Sequence, residues 1–121
     1  MKIQKVLVVD DQLSIQVGIE RAVRMVFGAD TVVFVAGNYS DAKSAFLLNG
    51  HDLDIILMDT NLGNGITTYS LVEYIHQAGF KGIMVATSID EISRCAMLVK
   101  GCTHECDKGN IIRFLERLQD Q

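Results

Sequence analysis

The stretch VLVVDDQLSIQVGIERAVRMVF, residues 6–27, joins a short apolar run, two adjacent aspartates and a longer segment of helical periodicity. The run VLVV is rich in β-branched residues, which predicts a buried strand over Lys5–Val9. Apolar residues then recur at helical spacing, which predicts a helix over Leu13–Phe27. The residues expected on its inward face are Ile15, Ile19, Ala22, Val23 and Val26. A strand that leads directly into a helix is the building unit of α/β folds.

Four more apolar runs alternate with four more helical segments along the rest of the chain. The predicted strands cover residues 31–36, 54–58, 82–86 and 103–106, and the predicted helices cover residues 41–48, 67–78, 90–100 and 110–118. Ser40 is expected to cap the second helix. The run DIILM is apolar on both faces and is expected to lie in the middle of the sheet. This alternation predicts one parallel sheet with helices on both faces.

Length and composition are those of one globular domain over residues 1–121. Hydrophobic residues make up 49% of the chain and the net charge is −4, which argues against a nucleic-acid surface. The sequence has no apolar run long enough to cross a membrane, and its start does not resemble a signal peptide. Cys95, Cys102 and Cys106 fit neither a disulfide framework nor a CxxC pair, so we expect buried, reduced thiols and a cytoplasmic location.

Polar side chains follow the predicted strands, at the edge of a parallel sheet where ligands bind. They are Asp10 and Asp11 after the first strand, Asp59 after the third, Thr87 and Ser88 after the fourth, and Lys108 after the fifth. Three carboxylates in one pocket suit Mg²⁺, which prefers oxygen ligands. Without a cation, at least one of them should have a raised pKa. The alternatives for each residue taken alone are a helix cap, a turn residue or an exposed lysine.

This set of residues resembles that of response-regulator receiver domains of the CheY-like superfamily. The sequence VVDD, residues 8–11, matches the acidic pair of that family, and DIILMDTNL, residues 54–62, matches the segment that carries its phosphoacceptor, here Asp59. MVATS, residues 84–88, supplies the family's hydroxyl residue as Thr87, and Lys108 matches its lysine. The resemblance covers the whole chain and implies a flavodoxin-like (βα)5 fold with strand order 2-1-3-4-5.

The resemblance also implies a role in two-component signalling. Asp59 is expected to accept a phosphoryl group from a sensor histidine kinase or a phosphotransfer protein in a Mg²⁺-dependent reaction. The implied metal ligands are Asp10, Asp11, Asp59 and the backbone carbonyl of Asn61, while Thr87 and Lys108 are expected to contact the phosphoryl group. Such a domain is a signalling switch rather than an enzyme, although it catalyses its own phosphotransfer and dephosphorylation.

The sequence departs from the family pattern in four places. Glu105 stands three positions before the lysine, where an aromatic residue is usual, and we expect it to be an ordinary surface glutamate. Gly109 replaces the proline that often follows the lysine. The loop DTNLGNGIT, residues 59–67, is short and rich in glycine, which predicts a more flexible loop. The segment from Thr87 to Lys108 is also slightly shorter than usual.

Other features bear on the subfamily and the output. DDQLSIQVGIERAV, residues 10–23, places Gly18 in the first helix and resembles the NarL-type group. That resemblance implies transcription regulation through a DNA-binding domain absent from this chain, and a receiver that stands alone is the alternative. The last two helices are expected to form an output or homodimer surface, with Cys95, Met97 and Val99 as candidate apolar contacts.

Three other classes of protein are alternatives to the receiver interpretation. A flavodoxin would need a glycine- and hydroxyl-rich phosphate loop after the first strand, and DDQLS contains no glycine. A phosphatase of the haloacid-dehalogenase type would need D-x-D after a strand, which neither DDQL nor DTNL supplies. The third class is a phosphorylation-independent interaction module of the same shape. Glu105 and the altered loop favour it, whereas the complete set of acidic residues and lysine does not.

Overall fold

Strands and helices alternate along the chain in a computed structural model that describes residues 2–121. The strands are β1 Lys5–Val9, β2 Val32–Ala36, β3 Ile55–Met58, β4 Ile83–Ala86 and β5 His104–Glu105. The helices are α1 Leu13–Phe27, α2 Tyr39–Asn49, α3 Tyr69–Gln77, α4 Glu91–Lys100 and α5 Ile111–Gln119, the last preceded by a 3₁₀ turn over Lys108–Asn110. β1 and α1 have the predicted bounds, and the other elements differ from the predicted ones by a few residues at their ends.

All strand pairs are parallel, and the order of the sheet is β2-β1-β3-β4-β5. The predicted parallel sheet, its strand order and the central place of the IILM strand are therefore confirmed. Val9 is in register with Met58, and Met58 is in register with Ala86. Because these three strands end at the same level, the residues that follow them come together at one edge of the sheet.

The sheet separates two apolar layers, because successive residues of a strand point to opposite faces. On one face Leu7, Ile56 and Met58 pack against apolar side chains of α2, α3 and α4. On the other face Val8 and Leu57 pack against those of α1 and α5. Burial on both faces explains why the central strands are continuous apolar runs, and the helical coverage predicted from the sequence is confirmed.

The start of α2 corrects one sequence prediction. The cap is Asn38, whose side-chain oxygen accepts a 2.8 Å hydrogen bond from the backbone N–H of Asp41. Ser40, the predicted cap, lies inside the first turn of the helix. Both residue types cap helices well, and the extended backbone that a cap requires occurs at Asn38.

The cysteines and the proposed surface residues also differ in part from expectation. Cys102 and Cys106 are buried, and burial raises the pKa of their thiols to about 12 and about 11. Cys95 is exposed, so the prediction of a buried thiol is wrong there. Met97 is fully buried and cannot be a surface contact, whereas Val99 is 86% exposed. Over residues 2–121, no helix combines the length and the apolar character that a membrane span requires.

Candidate functional site

The backbone ladder of the sheet continues one residue beyond three strands. The N–H of Asp10 donates to the carbonyl of Ala36 at 3.1 Å, and the N–H of Asp59 donates to Val9 at 2.9 Å. The N–H of Thr87 donates to the carbonyl of Met58 at 3.0 Å. These bonds fix Asp10, Asp59 and Thr87 at one edge of the sheet, and all three are buried.

Lys108 completes this edge. Its ammonium nitrogen lies 2.6 Å from Asp10 Oδ2 and 3.1 Å from Asp59 Oδ2. The backbone around it is held by Asp107, whose side chain accepts a 2.9 Å hydrogen bond from the N–H of Gly109. Only 13% of the Lys108 side chain is exposed, so it is not the solvated lysine that is the alternative for an isolated Lys-Gly pair.

A divalent cation fits the acidic part of the site. Asp10, Asp11 and Asp59 each offer a carboxylate oxygen, and these atoms all lie within 4.8 Å of one another. Asp10 and Asp59 are buried, whereas Asp11 is exposed at the mouth of the pocket. Carboxylate oxygens on a partly open site suit Mg²⁺, which binds one or two carboxylates and keeps several waters.

The electrostatics of the pocket favour an added positive charge. Burial raises the pKa of Asp59, and Asp10 raises it further, while Lys108 acts in the opposite direction without cancelling the rise. The sequence-based expectation of a raised pKa among the three aspartates is confirmed for Asp59. Burial alone would lower the pKa of Lys108, but its contacts with Asp10 and Asp59 raise it. Lys108 therefore stays charged, and one ammonium faces two buried carboxylates.

Several polar atoms of the pocket lack a full set of partners. Asp10 Oδ1 accepts from the N–H of Gln12 and Asp59 Oδ1 from the N–H of Thr60. Asp10 Oδ2 accepts no well-aligned hydrogen bond, although the ammonium is adjacent. The buried hydroxyls of Thr60 and Thr87 also have no partner among the described residues. An unpaired buried polar group costs about 1–3 kcal/mol. A hydroxyl such as that of Thr87 can donate to an oxygen of a ligand, whereas Asp10 Oδ2 can only accept, from the ammonium or a bound cation.

The loop after Asp59 is a tight hairpin. The N–H of Leu62 donates to the carbonyl of Ile66, and the N–H of Ile66 donates to Gly63, both at 2.9 Å. Asn64 and Gly65 at the tip have φ values of 53° and 75°. Positive φ at both central positions is the signature of a type I′ turn, and Asn-Gly is its preferred sequence. The glycines thus order this loop.

Asn61 lies on the hairpin strand beside the pocket. It forms an antiparallel bridge with Thr67, and the flanking hydrogen bonds join Thr60 to Thr68 and Leu62 to Ile66. Asn61 is therefore in a non-hydrogen-bonded pair, in which backbone groups point away from the partner strand. Within residues 2–121 its carbonyl accepts no hydrogen bond, so it is available to an outside ligand.

Glu105 lies at the surface, as the sequence predicted, and it also forms an ion pair. Its Oε1 accepts a 2.7 Å hydrogen bond from Nε of Arg94, which lies on α4. Nη1 of Arg94 also donates to the carbonyls of Ser88 and Ile89, both at 2.8 Å. Sequence reasoning missed Arg94, because a single arginine on a helix carries no signal until β5 is placed beside the loop after β4.

Comparisons with known proteins find likeness in structure alone. No model of a protein family matches the chain, and no curated protein sequence matches it. A CheY-like response regulator receiver domain protein from Methanospirillum hungatei JF-1 is 16% identical, with a TM-score of 0.75 over 98% of this chain and 92% of that chain.

Two further solved structures give similar figures. The receiver domain of a response regulator from Bermanella marisrubri is 19% identical, with a TM-score of 0.77 over 96% of this chain and 95% of that chain. The receiver domain of a DNA-binding response regulator from Colwellia psychrerythraea 34H is 17% identical, with a TM-score of 0.77 over 98% and 99%. At such low identity these likenesses establish the fold, and this chain has the flavodoxin-like fold found in receiver domains.

Proposed function

We propose that the chain is the receiver of a two-component response regulator and that Asp59 accepts the phosphoryl group. The observation that carries this proposal is the arrangement around Asp59. A buried carboxylate lies 3.1 Å from the ammonium of Lys108 and shares an acidic cluster with Asp10 and Asp11. The buried hydroxyl of Thr87, which has no partner, lies at the same edge of the sheet.

The chain's own residues account for a transfer to a carboxylate. An Asp59 oxygen attacks the phosphorus of a phosphohistidine, the new P–O bond replaces the P–N bond, and the electron pair of that bond leaves with the imidazole of the donor. Lys108 keeps its charge and stabilises the negative charge on the transferred oxygens. The hydroxyl of Thr87 donates to one of those oxygens and thereby gains the partner it lacks.

Mg²⁺ would be held by Asp10, Asp11, Asp59 and the carbonyl of Asn61. The fit rests on the clustered carboxylate oxygens and on the free carbonyl of the hairpin. When bound, the ion would supply positive charge beside the transferred oxygens, as metal ions do in other phosphoryl transfers. Asp10 would hold it from a buried position and Asp11 from the exposed mouth of the pocket.

The same proposal includes a partner, an output and a location. The donor is a sensor histidine kinase or a phosphotransfer protein, and the output is transcription regulation through a DNA-binding domain outside this chain, as in the NarL-type group. A cytoplasmic site of action follows from that pairing. For a homodimer, exposed apolar residues on α4 offer a surface; these are Ile92, Cys95 and Val99.

The second candidate function is a phosphorylation-independent interaction module. The observation that favours it is Glu105, which occupies the position of the family's switch aromatic and is bound to Arg94. In this case the acidic cluster would bind a cation without a covalent step.

Acetyl phosphate and Mg²⁺ test the main proposal. The folded protein should gain roughly 80 Da in intact mass, the mass of one phosphoryl group, and Asp59→Asn should gain nothing. Asp54→Asn, at the other end of β3, is the matched control and should be labelled like the wild type. If the folded wild type gains no mass and beryllofluoride with Mg²⁺ changes none of its amide resonances, the interaction module is the better function.

A further inference from the structure

Arg94 joins three elements that meet behind the candidate site. From α4 its Nη1 reaches the carbonyls of Ser88 and Ile89 in the loop after β4, and its Nε reaches Glu105 on β5. Only 12% of the Arg94 side chain is exposed. We propose that Arg94 is a positioning residue that holds this loop, and with it the hydroxyl of Thr87, ready for a phosphoryl oxygen. This inference rests on the proposed function and concerns the regulation of the same site.

The loop depends on Arg94 for its backbone contacts. Among residues 2–121, Nη1 of Arg94 is the only hydrogen-bond donor to the carbonyls of Ser88 and Ile89. Asp90, which follows them, uses its side chain to cap α4 through the N–H of Ile92. Without the guanidinium, both carbonyls would turn to water, and Ser88 and Ile89 would lose their side-chain link to α4 and β5. The bonds of Thr87 to Met58 and of Asp90 to Ile92 would remain.

Thr87 is held from both sides by this arrangement. On its N-terminal side the ladder bond to Met58 fixes the backbone, and on its C-terminal side Arg94 fixes Ser88. Between these two points the Thr87 hydroxyl is kept buried without a partner, a position that a free loop would leave. The hydroxyl gains its missing hydrogen bond when a phosphoryl oxygen accepts from it. Because the hydroxyl is already in place, it is preorganised for binding.

Glu105 orients the guanidinium. It lies in register with Ala86, the residue before Thr87, so the ion pair flanks the strand that leads into the loop. An arginine can satisfy one carboxylate oxygen and two carbonyls at once because its donors form a rigid fork, whereas a lysine presents a single rotating point charge. The Arg94–Glu105 pair therefore connects the loop after β4 to β5. In the family pattern, an aromatic residue stands at position 105 instead.

The test compares two affinities of each variant, measured by titration at a temperature at which it is folded. Mg²⁺ alone contacts the acidic cluster, whereas beryllofluoride at saturating Mg²⁺ also requires the Thr87 hydroxyl. Arg94→Ala should weaken beryllofluoride about tenfold, the size of one charge-assisted hydrogen bond. Its affinity for Mg²⁺ should stay within about twofold of the wild type, since among residues 2–121 no hydrogen bond or ion pair joins Arg94 to the acidic cluster. Arg94→Lys should not restore the beryllofluoride affinity.

Two further variants keep the test decisive. Glu105→Gln keeps the shape of the pair and should weaken beryllofluoride about threefold, so it replaces Arg94→Ala if that variant does not fold. Lys100, on the same helix as Arg94, pairs at the surface with Glu73 of α3. Lys100→Ala removes that pair and should leave both affinities unchanged. In a Thr87→Ala background, Arg94→Ala should have no further effect on beryllofluoride, because the two residues act as one unit.

The outcomes separate this inference from the proposed function. If the folded wild type does not bind beryllofluoride, the proposed function fails and the inference fails with it. If the wild type binds and Arg94→Ala binds equally well, the inference alone is wrong. It is also wrong if Arg94→Ala weakens Mg²⁺ and beryllofluoride to the same extent, because that pattern belongs to a general structural role.

Discussion

The two ends of β3 carry the same residue type in opposite electrostatic situations. Before the strand, Asp54 Oδ2 accepts hydrogen bonds from the backbone N–H groups of Gln4 and Lys5, at 2.8 and 3.0 Å. After the strand, Asp59 lies buried beside Asp10, and both share the single ammonium of Lys108. Burial raises the pKa of Asp59, so its charged form is disfavoured.

This difference distinguishes a carboxylate whose hydrogen-bond donors are backbone groups from one whose charge is only partly compensated. Asp54 accepts two hydrogen bonds from backbone donors, and it ties the start of β1 to β3. The other edge keeps charges whose partners are incomplete, together with a free hydroxyl at Thr87. Such groups lower the stability of the fold, and a ligand that supplies the missing partners raises it. We therefore expect a cation or phosphoryl group to bind most favourably at the edge formed by Asp10, Asp59 and Thr87.

Lys108→Ala should cause the largest loss of stability at the site around Asp59. It removes the cation that two buried carboxylates share, and we expect a loss of about 3 kcal/mol in the free energy of unfolding without Mg²⁺. Lys5→Ala is the control, because Lys5 pairs with exposed Asp52 at 3.5 Å and should matter by less than about 0.5 kcal/mol. Urea unfolding measures both, and equal, small losses would contradict the ion-pair assignment.

Mg²⁺ should stabilise the protein through the Asp10, Asp11 and Asp59 cluster and not through Asp54. At 100 times its dissociation constant the ion should add about 2.7 kcal/mol to the free energy of unfolding. Asp11→Asn removes a ligand from the mouth of the site and should weaken this gain, whereas Asp54→Asn should leave it intact. Thermal unfolding with and without Mg²⁺ gives the shift. A gain that survives Asp11→Asn unchanged would count against the acidic cluster as the metal site.

The same substitution at the two ends of β3 should have effects of opposite sign. In Mg²⁺-free buffer at neutral pH, Asp59→Asn should stabilise the fold by about 1 kcal/mol, because it removes a disfavoured charge. Asp54→Asn should destabilise it by about 1 kcal/mol, because the two backbone donors lose a charged acceptor. Equal signs for the two variants at neutral pH would show that the two carboxylates do not differ in the way described.

The pH dependence of the Asp59→Asn gain follows from the raised pKa. A carboxyl group with a raised pKa binds its proton more tightly in the folded state, so ionisation costs stability as pH rises through that pKa. The gain should be largest above the raised pKa, should shrink as the pH falls through that pKa, and should vanish below about pH 4, the ordinary aspartate value. Urea unfolding across this range measures it, and a gain that persists at low pH would mean that relief of charge is not its source.

Much of the fold was readable from the sequence because burial imposes a pattern on it. The IILM strand is apolar on both faces since helices cover both sides of the sheet, and α1 was placed at both ends from its apolar spacing alone. The cap of α2 was misplaced because Asn38 and Ser40 are both good caps and only the backbone conformation distinguishes them. The hairpin after Asp59 was missed because glycine permits both a loose loop and a type I′ turn.

The candidate site, too, was predicted in part from the sequence and depended in part on tertiary packing. The sequence placed Asp10, Asp59, Thr87 and Lys108 together, because strands that end at one level bring the residues after them to one edge of a parallel sheet, whereas Asn61 followed only from the family resemblance. The sequence could not show that Lys108 is buried between two carboxylates, that Asp11 lies at the mouth, or that Arg94 binds Glu105. Those facts depend on distances between side chains far apart in the chain, and such distances are set only when the sheet and its helices have packed.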